Sequence, residues 1–228
     1  MEMQIKNGIV TELEGIGIIQ HLIPVSNKLA RPQYPMKPEY ITIHNTGNPG
    51  ASALANSQYV DTVNSYTSWH FTVGPGEVYQ ELPITESAWH AGDGANGPGN
   101  RKSIGIEIAE VAGAEETAIK FVAQLIKATG ISIDKVVPHQ HWSGKYCPRL
   151  ILPHWDKFIA DIKKELEVKA MPEGVKRYKN VAEMPEFYQG YIKKWVDAGY
   201  IKGNKDGTLD FTEDMIRCLI IAERMQNK

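Results

Sequence analysis

The sequence predicts an α/β protein: a mixed central β-sheet flanked by helices, with a small helical module at the C-terminal end. Three observations carry this expectation. The segments Tyr40-Ile41-Thr42-Ile43-His44 and Ser103-Ile104-Gly105-Ile106-Glu107-Ile108-Ala109 alternate isoleucine with other residues at the two-residue period of a strand. Residues 115–129 and 153–166 repeat apolar side chains at helical spacing. The turn Gly74-Pro75-Gly76 separates two strand-like stretches, residues 69–73 and 77–81, as in a hairpin. Strands and helices interleaved in this way pack as layers around one core.

Taken in order, the first forty residues carry Pro24, Pro32, Pro35 and Pro38. Proline lacks an N–H and fixes φ, so this segment is expected to run as an extended leader over a surface. In residues 40–44 the isoleucines face one side, and Tyr40, Thr42 and His44 face the other. Residues 52–64 read as a helix with a partial stripe of Leu54, Val60 and Val63. A loop between Ala91 and Arg101 holds Gly92, Gly94, Gly97, Pro98 and Gly99, the flexible kind of segment that often carries function. The strand at 103–109 buries three isoleucines and sets Glu107 on the opposite face. Residues 115–129 align Ile119, Val122, Leu125 and Ile126, with Gly130 placed to stop the helix. Residues 153–166 open with Pro153 and align Trp155, Phe158, Ile159, Ile162 and Leu166. This first domain is expected to span residues 1–167. A linker at 168–176, containing Met171-Pro172-Glu173-Gly174, leads to a helix, turn, helix module at 177–228, with helices at 188–198 and 212–225 around the loop 202–207.

Composition narrows the function. The 228 residues include 25 basic and 27 acidic side chains, a formal net charge of −2, with no long run of one sign. That argues against nucleic acid as a partner, because duplex binding depends on neutralising phosphates. No stretch reaches the roughly 20 apolar residues of a membrane span, and the polar N-terminal residues show no signal peptide, so no membrane insertion is expected. Cys147 and Cys218 are too few for a disulfide framework, and each reads as a ligand or a buried thiol.

The densest chemical signal is Pro138-His139-Gln140-His141-Trp142-Ser143-Gly144-Lys145-Tyr146-Cys147-Pro148. Imidazole and thiolate are zinc donors, and a catalytic zinc typically takes three protein ligands and keeps one position open. A third donor must come from elsewhere, and His44, at the end of a strand before Asn45-Thr46-Gly47, is the best placed. Glu107 on a neighbouring strand would add a carboxylate. Each residue also has an ordinary reading: a hydrogen-bonded surface histidine, a small buried thiol, a solvated carboxylate, a surface lysine.

The segments Tyr40-Ile41-Thr42-Ile43-His44-Asn45-Thr46, Ala88-Trp89-His90-Ala91-Gly92-Asp93-Gly94, Gly97-Pro98-Gly99-Asn100-Arg101, Ser103 to Ile108 and His139 to Pro148 share an order and spacing. In these blocks, over roughly residues 20–165, the chain resembles the zinc-dependent N-acetylmuramoyl-L-alanine amidases, particularly phage and prophage endolysins of Gram-positive hosts. The wider family includes peptidoglycan recognition proteins and the T7-type lysozyme. The resemblance implies Zn2+ held by His44, His139 and Cys147, with His141 the competitor of His139, since an extended loop would aim both to one side. It implies Glu107 and Lys145 as catalytic residues, and His90, Asn100, Arg101 and Trp69 along the substrate groove. Some relatives carry tyrosine where Trp69 stands, and core packing is the alternative for that residue.

The implied reaction is hydrolysis of the amide between N-acetylmuramic acid and L-alanine in bacterial peptidoglycan, by zinc-activated water. Such a bacteriolytic enzyme is expected to wait in the host cytoplasm until lysis and then act on the cell wall. The alternatives are a non-catalytic peptidoglycan receptor on the same fold and a zinc peptidase cutting the stem peptide. The C-terminal residues 191–203 and 206–209 resemble one surface-layer-homology repeat, which implies secondary cell-wall polymers as a second partner; burial of its apolar side against another subunit and packing onto the catalytic domain are the alternatives.

Overall fold

A computed structural model describes residues 3–13, 15–62, 64–167, 176–204 and 208–226. Val63, nearly all of the expected linker, and Lys205, Asp206 and Gly207 of the expected C-terminal loop lie outside the described residues. The chain divides into two compact units, Met1–Lys169 and Ala170–Lys228.

The first unit is built on a sheet that orders six described strands as β3-β6-β5-β7-β4-β8. They are β3 (Gly17–Gln20), β4 (Tyr40–Asn45), β5 (Phe71–Gly74), β6 (Glu77–Gln80), β7 (Ser103–Ile108) and β8 (Val136–Pro138). β5 and β6 form the expected antiparallel hairpin, and every other pairing in the sheet is parallel. The mixed sheet thus matches the expected fold class.

The N-terminal segment departs from the expectation. It opens with an antiparallel pair, β1 (Gln4–Lys6) and β2 (Ile9–Glu12), and then supplies β3 as a sheet edge beside β6. Gly15 and Gly17 break any two-residue alternation there, so the strand is defined by its partner and not by its own pattern. Only then does the proline-rich stretch run without regular structure. It is tied down by Arg31, whose Nε and Nη2 donate to Glu86 at 2.8 and 2.7 Å while Nη1 donates to the Ile23 carbonyl at 2.8 Å. β8 also went unread, because three residues ending in proline suit only a sheet edge.

Parallel pairing of β4 with β7 places Ile41 beside Ile104 and Ile43 beside Ile106. These side chains are fully buried and join the main core with Phe71, Val73 and Ile108. That face is covered by α3 (Ala114–Thr129) and α5 (Trp155–Glu167). α3 buries Ala118, Phe121, Val122, Leu125 and Ile126, and Phe121 meets Phe71 with ring centroids 4.9 Å apart. Gly130 ends α3 at φ 72°, where its N–H donates to the Ile126 carbonyl at 2.9 Å, a left-handed cap that a side chain would strain. α1 (Ala53–Thr62) contributes Val60 to a second cluster with Ile23, Ala30, Trp69, Leu82 and Ala88. The glycine-rich loop contains one helical turn, α2 (Pro98–Lys102). Among the described residues no helix is long and apolar enough to cross a membrane.

The second unit has its own small core of Tyr178, Met184, Tyr188, Ile192, Ile216 and Ile220. Helices α6 (Glu186–Asp197) and α7 (Glu213–Gln226) supply most of it. A short antiparallel pair that the sequence did not announce, Arg177–Tyr178 (β9) with Phe211–Thr212 (β10), ties the start of the unit to the segment before α7.

Truncating Phe121 to alanine should open a cavity in the main core and destabilise the first unit by about 3–5 kcal/mol. Urea unfolding of the variant against the parent chain measures this. A loss below about 1 kcal/mol would mean that the core re-collapses around the missing ring.

Candidate metal centre

β4 and β8 deliver two of the donors. His44 lies near the end of β4, on the face opposite the isoleucines, and is almost wholly buried. β8 pairs in parallel with β4, and the ladder continues when the His139 N–H donates to the Ile43 carbonyl at 3.2 Å. His139 thereby emerges beside His44, with ring centroids 4.6 Å apart.

The chain then turns back. Residues Gln140–Ser143 form one helical turn, α4, and the Gln140 N–H donates to the Cys147 carbonyl at 3.0 Å, which closes the loop. Asn45, next to His44, accepts the Leu150 N–H at 2.9 Å and holds the segment after Cys147 against the end of β4. The outcome is a cluster: one donor atom from each of His44, His139 and Cys147 lies within 4.8 Å of the other two. His44 Nδ1 and Cys147 Sγ are 3.9 Å apart.

His141 takes no part in that cluster. The extended loop that would have aimed it beside His139 is a helical turn, and two residues along a helix differ by roughly 200° in direction. His141 is exposed and packs edge-on against Trp142 at 4.6 Å between centroids.

Two nitrogens and a sulfur in a tetrahedral-sized gap suit zinc by donor chemistry. The polar accounting agrees. Both ring nitrogens of His139 are buried, and neither makes a well-formed hydrogen bond among the described residues, the Ala91 backbone lying only close enough to oppose the fall of its pKa. Such orphaned atoms are costly unless a ligand satisfies them. His44 points Nε2 away from the cluster to His90 Nδ1 at 3.0 Å, and His90 Nε2 reaches the Ser103 carbonyl at 3.2 Å.

Electrostatics keeps the donors in distinct states. Burial, followed by His90, His139 and Lys145, holds His44 well below the usual histidine pKa. Burial and then the Lys145 ammonium lower His139. Both imidazoles are therefore neutral, as ligands must be. Burial pushes the Cys147 thiol up to about 11, so it carries its proton at neutral pH until a cation displaces it.

Glu107 pairs with His44 across the β4–β7 ladder, its Oε1 3.9 Å from His44 Nδ1. It is not the solvated carboxylate that strand alternation alone allows. Its Oε2 is buried without a partner among the described residues, and burial pushes the carboxyl up to about 8, opposed by the Lys145 ammonium. Lys145 is exposed at the rim.

All these groups border one cavity of about 1000 Å³. Its wall also includes Tyr34, Tyr66, Trp69, Trp89 and Tyr146. Trp89 meets Tyr34 and Tyr66 edge-on at 6.3 and 5.8 Å.

Of the residues expected along the groove, Trp69, His90 and Asn100 border the cavity, and Arg101 is not among its lining. Asn100 is buried. Its Oδ1 accepts the N–H groups of His90 and Ala91, and its Nδ2 donates to the Gly94 carbonyl, so the amide organises the loop. Arg101 stacks its guanidinium 4.4 Å over the Tyr34 ring. Trp69 is mostly buried, donates to Thr72 Oγ1 at 2.7 Å and borders the cavity. His90 sits behind His44.

Sequence reasoning passed over two supporting groups. One is Asn45. The other is Glu110, which accepts the Gly47 N–H at 3.1 Å and pairs with Arg149, bracing both loops at the mouth. Glu110 follows the strand after Glu107 by three residues, and no local pattern marks it.

A mixed sheet in which β4 and the residue after β8 bring two donors to a cleft, with a buried carboxyl on the adjoining strand, makes this an α/β protein with a candidate three-donor metal site. The profile of the N-acetylmuramoyl-L-alanine amidase family matches residues 34–150, and the chain belongs to that family. It is 49% identical over 154 residues to the N-acetylmuramoyl-L-alanine amidase CwlH of Bacillus subtilis (strain 168), a match covering 64% of this chain and 61% of that protein. To XlyA of the same organism it is 50% identical over 154 residues, covering 64% and 51%. The solved catalytic domain of XlyA matches with a TM-score of 0.61 at 50% identity, over 64% of this chain and 99% of that one. The PlyG catalytic domain matches with a TM-score of 0.62 at 36% identity, over 69% and 99%. The chain thus spans 61% of the length of CwlH and 51% of that of XlyA.

Zinc stoichiometry of the purified protein checks the donor set: His44→Ala, His139→Ala and Cys147→Ser should lose the metal, while His141→Ala keeps it. Retention of zinc by His139→Ala together with loss by His141→Ala would reverse the assignment. Because the thiol is protonated below about pH 11, zinc uptake should release at least about one proton, and affinity should rise about tenfold per pH unit near neutrality. Calorimetry in buffers of different ionisation enthalpy measures that proton. An affinity independent of pH between 6 and 8 would contradict a protonated thiol.

Proposed function

We propose that the chain is a zinc-dependent N-acetylmuramoyl-L-alanine amidase, an endolysin that cleaves the amide between the lactyl group of N-acetylmuramic acid and the L-alanine of the stem peptide in bacterial peptidoglycan. The observation that carries the reading is the convergence of His44, His139 and Cys147 beside Glu107 in one open cavity. Membership of the amidase family supports it.

When bound, zinc supplies Lewis acidity, making water nucleophilic at neutral pH and polarising the scissile carbonyl. His44, His139 and Cys147 would hold it. Glu107 takes the proton of the attacking water and returns it to the leaving amine, one carboxyl serving first as base and then as acid. Its burial suits that exchange, since a proton affinity near the working pH allows transfer in both directions. Lys145 places an ammonium where negative charge develops on the carbonyl oxygen, and its position at the rim lets it meet substrate without first being desolvated. Tyr34, Tyr66 and Trp89 offer apolar ring faces on which the sugar can lie.

Action at the wall after release from a host cytoplasm, in the manner of a phage enzyme, follows from the endolysin reading. We assign the C-terminal unit to wall attachment through secondary polymers, on its likeness to a surface-layer-homology repeat.

Mass spectrometry of digested peptidoglycan tests the bond: stem peptides with free L-alanine amino ends are expected, and cuts inside the stem would favour a peptidase. Glu107→Gln and Lys145→Ala should each keep zinc while lowering turnover by about a hundredfold or more. Near-normal wall lysis by either variant removes that residue from the mechanism. Deleting residues 170–228 should spare hydrolysis of soluble muropeptides and weaken sedimentation with cell walls. Undiminished attachment to walls would strip the module of its targeting role.

A further inference from the structure

His90 borders the cavity without being one of the three donors, and both its ring and its backbone are held in place. Its ring lies across β7 in the gap left by Gly105. A Cβ on Gly105 would meet Cγ, Cδ2 and Nδ1 of His90 at 2.8, 2.9 and 2.9 Å. Its backbone is held as well, since the His90 N–H donates to Asn100 Oδ1 at 2.8 Å. Asn100 is fixed in turn by Asp93, whose carboxylate accepts the N–H groups of Gly99 and Asn100 at 2.6 and 3.2 Å.

The ring contacts fix where the protons sit. A backbone carbonyl can only accept, so the 3.2 Å contact to Ser103 O requires the hydrogen on His90 Nε2. In a neutral imidazole the other nitrogen, Nδ1, then presents a lone pair. The 3.0 Å contact between His90 Nδ1 and His44 Nε2 therefore needs its hydrogen from His44. With its proton on Nε2, His44 offers a lone pair on Nδ1, the nitrogen that faces Cys147 Sγ at 3.9 Å. The reverse tautomer of His44 would point an N–H at the donor cluster and leave two lone pairs opposed at His90.

We propose that His90 is a positioning residue for the metal centre: anchored by the Ser103 carbonyl, it sets the tautomer and ring orientation of His44 so that Nδ1 is the donor. The proposal rests on the reading of His44, His139 and Cys147 as zinc ligands. It extends that reading to a chain of hydrogen bonds running from a strand carbonyl through two imidazoles to the donor atom. It also explains why the glycine-rich loop is so closely braced. Asp93 and Asn100 hold the backbone of His90, and Gly105 leaves room for its ring.

The test uses the full chain and zinc itself, with affinity measured by competition against a chromophoric chelator and folding followed by the melting of the zinc-free protein. His90→Phe fills much of the ring's volume but offers no acceptor, and should weaken zinc binding by about tenfold to a hundredfold. His90→Asn offers a carbonyl acceptor near the position of Nδ1 and should recover most of that loss. Gly105→Ala, which displaces the ring, should weaken binding in the same direction.

If His90→Phe does not fold, long-range 1H–15N correlation on the zinc-loaded parent protein decides, and His44 is expected to be protonated at Nε2. Unchanged affinity in a folded His90→Phe protein, a folded His90→Asn no better than His90→Phe, or a His44 proton on Nδ1 each overturns the proposal. A parent protein that binds no zinc would instead overturn the underlying metal reading.

Discussion

The register between two parallel strands is the constraint on which the rest depends. β4 and β7 pair so that His44 lies beside Glu107 on one face and Ile43 beside Ile106 on the other. A slip of β4 by one residue would turn its isoleucines toward the cleft and His44 into the core, and a slip of β7 would do the same to Glu107. Burial of the isoleucine face under α3 and α5 therefore fixes the positions of the polar pair. Hydrophobic burial, which is not directional, is converted by strand alternation into the placement of two chemical groups.

The same sheet makes the site electrostatically unusual. His44, His70 and His90 are crowded under the cleft, and burial holds all three below the ordinary histidine pKa, His70 at about 4 and His90 at about 3. Uncharged imidazoles can meet edge-on as these do, with centroids 5.1 Å apart between His44 and His90 and 6.1 Å between His70 and His90. His70 is fixed from both ends: its Nδ1 accepts the Gly105 N–H at 3.0 Å and its Nε2 reaches the Glu86 carbonyl at 2.8 Å. Within this neutral surround stand Cys147 and Glu107, both with pKa values raised by burial, and the buried nitrogens of His139. The buried donor atoms of His44, His139 and Cys147 are therefore free of charge on the imidazoles and able to offer lone pairs to a cation once the thiol proton leaves.

Much of this was legible in the chain. The isoleucine alternation at 40–44 and 103–109, the stripe at 115–129 with its glycine stop, and the hairpin around Gly74-Pro75-Gly76 all correspond to observed elements, because each pattern is dictated locally by which face meets the core. β3, β8 and the β9–β10 pair were not legible. They are two to four residues long, they sit at sheet edges or in an isolated pair, and their neighbours define them. Asn100 and His90, which the resemblance placed along the groove, do border the cavity, but both also have partners beneath its surface. Nothing in a one-dimensional spacing reveals that the amide of Asn100 turns inward to hold the backbone of His90.

The sequence by itself determined the chemical inventory: imidazoles, a thiol, a carboxylate and an ammonium in ordered blocks, the alternation that separates core from cleft, and the likeness to the amidases. Only the tertiary structure placed His139 and not His141 in the donor cluster, set His90 against His44 as well as along the cavity, and brought Asn45 and Glu110 beside the site. The physical reason is range. Periodicity and turn chemistry act over a few residues, whereas His44 and Cys147 are 103 positions apart and meet only because parallel pairing and a closed loop carry them together. Which histidine faces the cleft was settled by one turn of helix at 140–143, and that turn is held by a hydrogen bond from Gln140 to the far end of its own loop.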